Sequence, residues 1–212
     1  MTLEIVKEIT SESLEKAKSV LDNDGVIILP TDTNYNLICN PHSKKAIDRI
    51  FEIKGRAQNK PLSLFFATSI DWMQYGTSQN NNAVSKVIEH FWPGPLNIIL
   101  KKTTLVPNHI LYREETVALG CISNPIWQRV VSYYGRPITL TSANKSGTAN
   151  NILVTKEMAL EQVGEEVDMF FIGAPIKNTT KSSTIIDFTG NHFNIVRHGD
   201  ITAESIQEAI DG

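Results

Sequence analysis

Three cations fall within seven residues in this chain, Lys54-Gly55-Arg56 followed by Lys60. Gly55 permits a tight chain reversal and close approach, Arg56 offers a planar fork that pairs bidentately with phosphate, and the lysines add point charge. One helix earlier, Pro30-Thr31-Asp32-Thr33-Asn34-Tyr35 puts hydroxyls directly after an apolar run. Hydroxyls, amides or cations recur in Thr141-Ser142-Ala143-Asn144, in Ser182-Ser183-Thr184 and at Arg197. The chemistry that suits such groups is capture of an anionic, hydrogen-bond-rich ligand such as a nucleotide phosphate. Each has a plain alternative: a solvated basic helix end, an Asp/Thr turn satisfying its own backbone, a hydroxyl cap, a surface arginine. Their recurrence at four strand ends favours the ligand, because open α/β sheets bind at such edges. No Ser/His/Asp, Cys/His or metal-ligand pattern competes, and neither GxxxxGK[ST] nor GxGxxG is present. A nucleotide site here is therefore built from side chains.

The elements that must position these residues follow from periodicity. Leu3 to Lys7 predicts a short strand, and Thr10 or Ser11 caps a helix burying Leu14, Ala17, Val20 and Leu21. Gly25 to Leu29 is the continuous apolar run of a strand buried on both faces, ended by Pro30. Ser43 caps a helix that buries Ala46, Ile47, Ile50 and Phe51 and delivers Lys54 at its C-terminal end. Strands are expected over Pro61 to Ala67, Leu96 to Leu100, Thr116 to Leu119, Pro137 to Leu140, Met169 to Ile172, Thr184 to Phe188 and Phe193 to Val196. Helices are expected from Ser69 toward Tyr75, through Val84 to Phe91, and over Asn124 to Tyr134, Leu153 to Val163 and Ala203 to Ile210. Trp92-Pro93-Gly94-Pro95 is a rigid turn between helix and strand. The reading is an α/β (α+β) fold, one domain over residues 1–212 with a twisted, mixed open sheet flanked by helices.

Composition narrows the classes. The 212 residues suit one domain with a sizeable core, and 41% apolar with 20% charged residues is an ordinary globular balance. The apolar runs fall far short of a membrane span, and residues 1–8 have neither signal nor transit character, so a cytoplasmic location away from membranes is expected. Cys39 and Cys121 read as small buried hydrophobes. A net charge of -3 argues against binding nucleic acid by bulk electrostatics, so any such role rests on local basic patches.

These residues resemble a known family, the YrdC/TsaC-like threonylcarbamoyl-AMP synthases, from about Ser11 to Ile201. Gly25 to Tyr35 is similar to that family's "GG(I/V)(I/V)xxPTDTxYGL" opening, and Lys54 to Leu62 to its "KxR...KPL" block. Phe91 to Leu96 resembles "(F/Y)WPGPLT", Thr141 to Gly147 "TSANxSG", Ser183 to Asp187 "STIVD", and Val196 to Gly199 "(L/I)RxG". The resemblance implies a concave cleft on the open sheet. It also implies an ATP-dependent reaction joining L-threonine and bicarbonate into threonylcarbamoyl-adenylate, with pyrophosphate released and Mg²⁺ accompanying ATP. The product then serves threonylcarbamoyl-adenosine modification of tRNA through partner proteins. Carried over by position, Arg56, Lys60, Thr116, Ser142, Asn144 and Arg197 serve ATP, with Lys54, Arg56 and Lys60 placed at the reacting phosphates. Thr33, Tyr35 and Ser183 contact threonine, and no metal ligand is assigned to the chain.

Departures from the pattern cluster on the amino-acid side. Where the family's "VAVRxPxHP" places an arginine for the threonine carboxylate, this chain has Gly120, with Ile122 for the proline and Asn124 for the histidine. Phe65 stands where many members have a histidine, and Asn36 and Ile38 replace two glycines. Losing a charge-assisted hydrogen bond costs about 1.5–3 kcal/mol, one to two decades of affinity, unless another group such as Arg113 takes over. The alternative is a divergent paralogue that binds ATP, AMP or RNA without efficient threonine activation.

Overall fold

Apolar runs and helical stripes alternate in the computed structural model, which describes residues 3–55, 57, 60–69, 72–111, 114–149, 152–173 and 179–212. In chain order the elements are β1 (Glu4–Val6), α1 (Ser11–Asp22), β2 (Ile27–Pro30), β3 (Tyr35–Cys39), α2 (Lys44–Lys54), β4 (Ser63–Phe66), α3 (Trp72–Tyr75), β5 (Gly76–Thr77) and α4 (Asn81–Phe91). They continue with β6 (Leu96–Lys102), β7 (Thr116–Cys121), α5 (Pro125–Tyr134), β8 (Ile138–Ser142), α6 (Lys156–Val163), β9 (Met169–Phe171), β10 (Thr184–Asp187), β11 (Asn194–Arg197) and α7 (Ala203–Asp211). The predicted α/β class with a mixed sheet is what the structure has. Several details differ from the sequence reading, among them the unexpected strand β5 and the earlier start of α4 at Asn81. Tyr35 to Cys39 was not expected as a strand, because the hydroxyls before it read as a loop opening onto a site. The α6 helix starts at Lys156 rather than Leu153, since the Thr155 side chain accepts from Met158 N and fixes the cap there.

The strands form one sheet in the order β1-β9-β2-β3-β8-β4-β7-β6-β10-β11, with β5 on β6. Parallel pairs (β1 with β9, β2 with β9, β4 with β7, β6 with β10) mix with antiparallel ones such as β2 with β3, β3 with β8 and β6 with β7. One face carries the larger core: Leu37, Leu64, Leu96, Ile98, Leu100, Val117 and Leu119 pack with Ile47 and Ile50 of α2, Val84 and Val87 of α4, Ala159 of α6 and Ile206 of α7. On the other face, Leu14, Ala17 and Leu21 of α1 and Trp127, Val130 and Val131 of α5 cover Ile27, Leu29, Ile38, Phe65, Ile138 and Met169.

That second cover stops at Phe65. The register carries the same face onward through Gly120 and Ala118 of β7, Asn97 and Ile99 of β6, Ile185 of β10 and Arg197 of β11. Neither core cluster includes these residues among the described ones. Half a sheet face left open beside two helices is a cleft. Among the described residues no helix is long and apolar enough to cross a membrane.

Candidate active site

The outer part of the cleft is organised by Lys54. Helix α2 ends there because Gly55 adopts a left-handed φ of 56°, and Lys54 is only 3% exposed. Its ammonium donates to the carbonyls of Ser142 and Asn144, the latter at 2.8 Å, and lies 3.4 Å from Ser142 Oγ and Asn144 Oδ1. Ser146 N donates back to Lys54 O at 2.8 Å. Asn144 completes the turn by donating to Lys145 O and Thr148 Oγ1. Around this knot lies a cavity of ≈ 260 Å³ lined by Lys54, Lys60, Ser142, Asn144, Ser146, Gly147 and Ala149. Lys60 is exposed, a cation open to an anionic ligand.

Ser142 and Ala149 also line an inner cavity of ≈ 310 Å³. One wall is the Thr31–Asn34 turn. Thr31 Oγ1 donates to Asn34 O and accepts from Asn36 Nδ2 at 2.9 Å, while Asn34 Oδ1 accepts Val154 N at 2.7 Å. Asp32 is buried, and its carboxylate accepts Ser123 N at 3.0 Å and Ser123 Oγ at 2.9 Å. Burial pushes this carboxyl above the usual range, against those hydrogen bonds. Asn124 caps α5 at Ile126 N and donates to Thr31 O at 3.2 Å, so the helix start and the turn are one unit. The opposite wall holds Ser183 and Arg197, whose Nε donates to Ser183 O at 2.9 Å. The rest of its guanidinium fork has no partner among the described residues and can pair with an anion.

The structure thus brings Thr33, Ser142, Ser183 and Arg197 to the inner cavity and Lys54, Lys60, Ser142 and Asn144 to the outer one. Arg56 and Arg113 lie outside the described residues. One expectation is corrected, and one predicted residue lies apart from both cavities. Tyr35 points to the opposite side of the sheet, where its ring stacks on Phe170 at 5.4 Å and its hydroxyl bonds the backbone of Gly173. Alternation along β3 forces this, since Asn36 takes the cleft face. Thr116 shares the cleft face but pairs with Lys101, two pleats along β7 from Gly120, and lines neither cavity.

Sequence reading gave no role to Asn97 or Asp32, although a lone amide in the apolar run of β6 was a usable signal. It also treated Phe65 and Gly120 as separate departures. They are one. Register pairs them, and a Cβ at Gly120 would overlap Phe65 Cε1, lie 2.8 Å from Cδ1 and approach Asn97 Oδ1 at 2.9 Å. The phenyl ring fills the space that a side chain at 120 requires.

This geometry has known counterparts. Residues 19–199 match the sequence model of the Sua5, YciO and YrdC proteins, described as telomere recombination. The chain belongs to the Sua5/YciO/YrdC family. Within that family it is 30% identical over 203 residues to a putative threonylcarbamoyl-AMP synthase of Methanocaldococcus jannaschii, covering 96% of this chain and 93% of the relative. It is 29% identical over 185 residues to the threonylcarbamoyl-AMP synthase of Pyrococcus abyssi, covering 87% of this chain and 53% of that one. The chain therefore spans about half the length of that larger Sua5/YciO/YrdC relative. The fold superimposes on P. abyssi Sua5 complexed with L-threonine with a TM-score of 0.86, at 26% identity over 99% of this chain and 61% of that one.

Proposed function

We propose that this chain makes threonylcarbamoyl-AMP from L-threonine, bicarbonate and ATP, releasing pyrophosphate, as a step in threonylcarbamoyl-adenosine modification of tRNA. The observation that carries this is the pair of cavities sharing Ser142: a cationic outer one beside a hydroxyl- and amide-lined inner one. In a family whose relatives bear the synthase name, that division suits a triphosphate on one side and a small amino acid on the other.

The amine of threonine first adds to the bicarbonate carbon, losing water, to give a carbamate. A carbamate oxygen then attacks the α-phosphorus of ATP, and pyrophosphate leaves. This needs alignment and neutralisation of charge, with no covalent bond to the enzyme. Lys54 holds the Ser142–Asn144 segment in place and adds positive charge, while Lys60 and Arg197 offer their cations to the phosphates. Mg²⁺ enters with ATP as part of the substrate, carried mainly by phosphates and water.

Pyrophosphate release from MgATP and bicarbonate, with and without L-threonine, tests the reading. Threonine-dependent release is expected. Release indifferent to threonine shifts the function to the divergent nucleotide binder, the alternative that Gly120 favours. Transfer of the product to tRNA by partner proteins is tested by supplying such partners with the enzyme and assaying modified adenosine.

A further inference from the structure

Asn97 is 9% exposed and lines the inner cavity, yet its carboxamide makes no hydrogen bond with any described residue. Its donor and acceptor open onto the cavity, where a ligand with matching groups can take the place of water. Its surroundings say what those groups are. Register sets Asn97 beside Gly120 on one side and Ile185 on the other, and Gly120 is paired with Phe65. Phe65 cannot yield easily, being 4% exposed with Trp127 edge-on to its ring at 6.0 Å. The floor of the cavity is therefore one neutral amide framed by apolar surface.

Charge points the same way. Among the described residues lining this cavity the charged ones are Asp32 and Arg197. Asp32 is buried and has no cation partner among the described residues, so a ligand carboxylate would meet a charge of its own sign on the wall, while Arg197, the cation of this cavity, stands two strands from Asn97 and serves the phosphates in the proposed reaction. A hydroxyl next to a methyl suits the floor better, one for the amide and one for the ring.

We infer that Asn97 and Phe65 set acceptor specificity: Asn97 hydrogen-bonds the acceptor's side-chain hydroxyl, Phe65 packs on its methyl, and the acceptor enters side chain first with its carboxylate away from the floor. This rests on the proposed function. The test is calorimetric titration of the full chain, in the presence of a non-hydrolysable ATP analogue, with L-threonine, L-2-aminobutyrate (methyl without hydroxyl) and L-serine (hydroxyl without methyl).

Wild type should prefer L-threonine to L-2-aminobutyrate by about five- to tenfold, the value of one neutral hydrogen bond. Asn97→Ala should bring the two within about twofold by weakening L-threonine alone, and Phe65→Ala should erode the preference for L-threonine over L-serine. Equal weakening of both ligands by Asn97→Ala, as a merely structural residue would give, overturns the inference. So does a wild type without the preference, which decides the matter even if the variants do not fold, and so does failure of all three amino acids to bind. Threonine-dependent pyrophosphate release with an unchanged ratio in Asn97→Ala sinks the inference and leaves the proposed function standing. The preference without such release does the reverse.

Discussion

At the residue scale, Lys54 and Lys60 differ in a way that three cations in seven residues could not reveal. The sequence showed the charge; it could not show that Lys54 spends its ammonium on carbonyls 88 and 90 positions away, since only the fold brings them together. Lys54→Met should therefore cost about 2–3 kcal/mol of stability, because it strands buried acceptors, and should also weaken nucleotide binding. Lys60→Ala, at an exposed position, should weaken nucleotide binding with an unchanged urea midpoint. Denaturation and ATP-analogue titration of the two variants check this, and a matched stability loss in both would contradict it. Tyr35 teaches the converse. Read as one hydroxyl in a row of hydroxyls it belonged to the site, and only the pleat of β3 sends it to the core.

At the element scale, the start of α5 and the Thr31–Asn34 turn hold each other. Asn124 is fully buried, caps the helix and reaches Thr31 O, while Ser123 feeds the Asp32 carboxylate. Asn124→Ala should lower stability by about 1–2 kcal/mol, a melting shift of a few degrees, and raise the KM for L-threonine more than that for ATP. Thermal melts and steady-state kinetics read both; a KM effect confined to ATP would refute the coupling. The Asn124 cap was legible as a helix start from its place before Pro125, whereas its second bond was not, because nothing local predicts which turn a cap will meet. Most strands and helices were legible for the opposite reason: their apolar period is local. Gly199 shows the limit again. A Cβ there would lie 2.6 Å from Ser182 O and 2.7 Å from Thr184 Oγ1, a fit that makes glycine necessary beside Arg197 and that no periodicity announces.

At the scale of the whole molecule, the cleft exists because α1 and α5 cover only part of one sheet face. The open half carries the Arg197 cation and the Asn97 amide among small and apolar residues, a surface that a ligand can complete. MgATP at 100 times its dissociation constant should add about 2.7 kcal/mol, raising the melting temperature by roughly 5–10 °C for a chain of this size. Scanning fluorimetry measures it, and an unmoved melting curve would count against nucleotide binding altogether.

The ties that shape the cleft also span long stretches of chain: Asp32 to Ser123, Lys54 to Ser142, Asn34 to Val154 and Asn34 to Ser182. Contacts so distant along the sequence form slowly, after the local helices and hairpins. During synthesis, the segment bearing Lys54 and Lys60 leaves the ribosome long before Ser142 and Arg197 exist. A chain that stops short of Ser142 and Arg197 lacks a wall of both cavities, and the cleft is complete only when the chain is nearly all made.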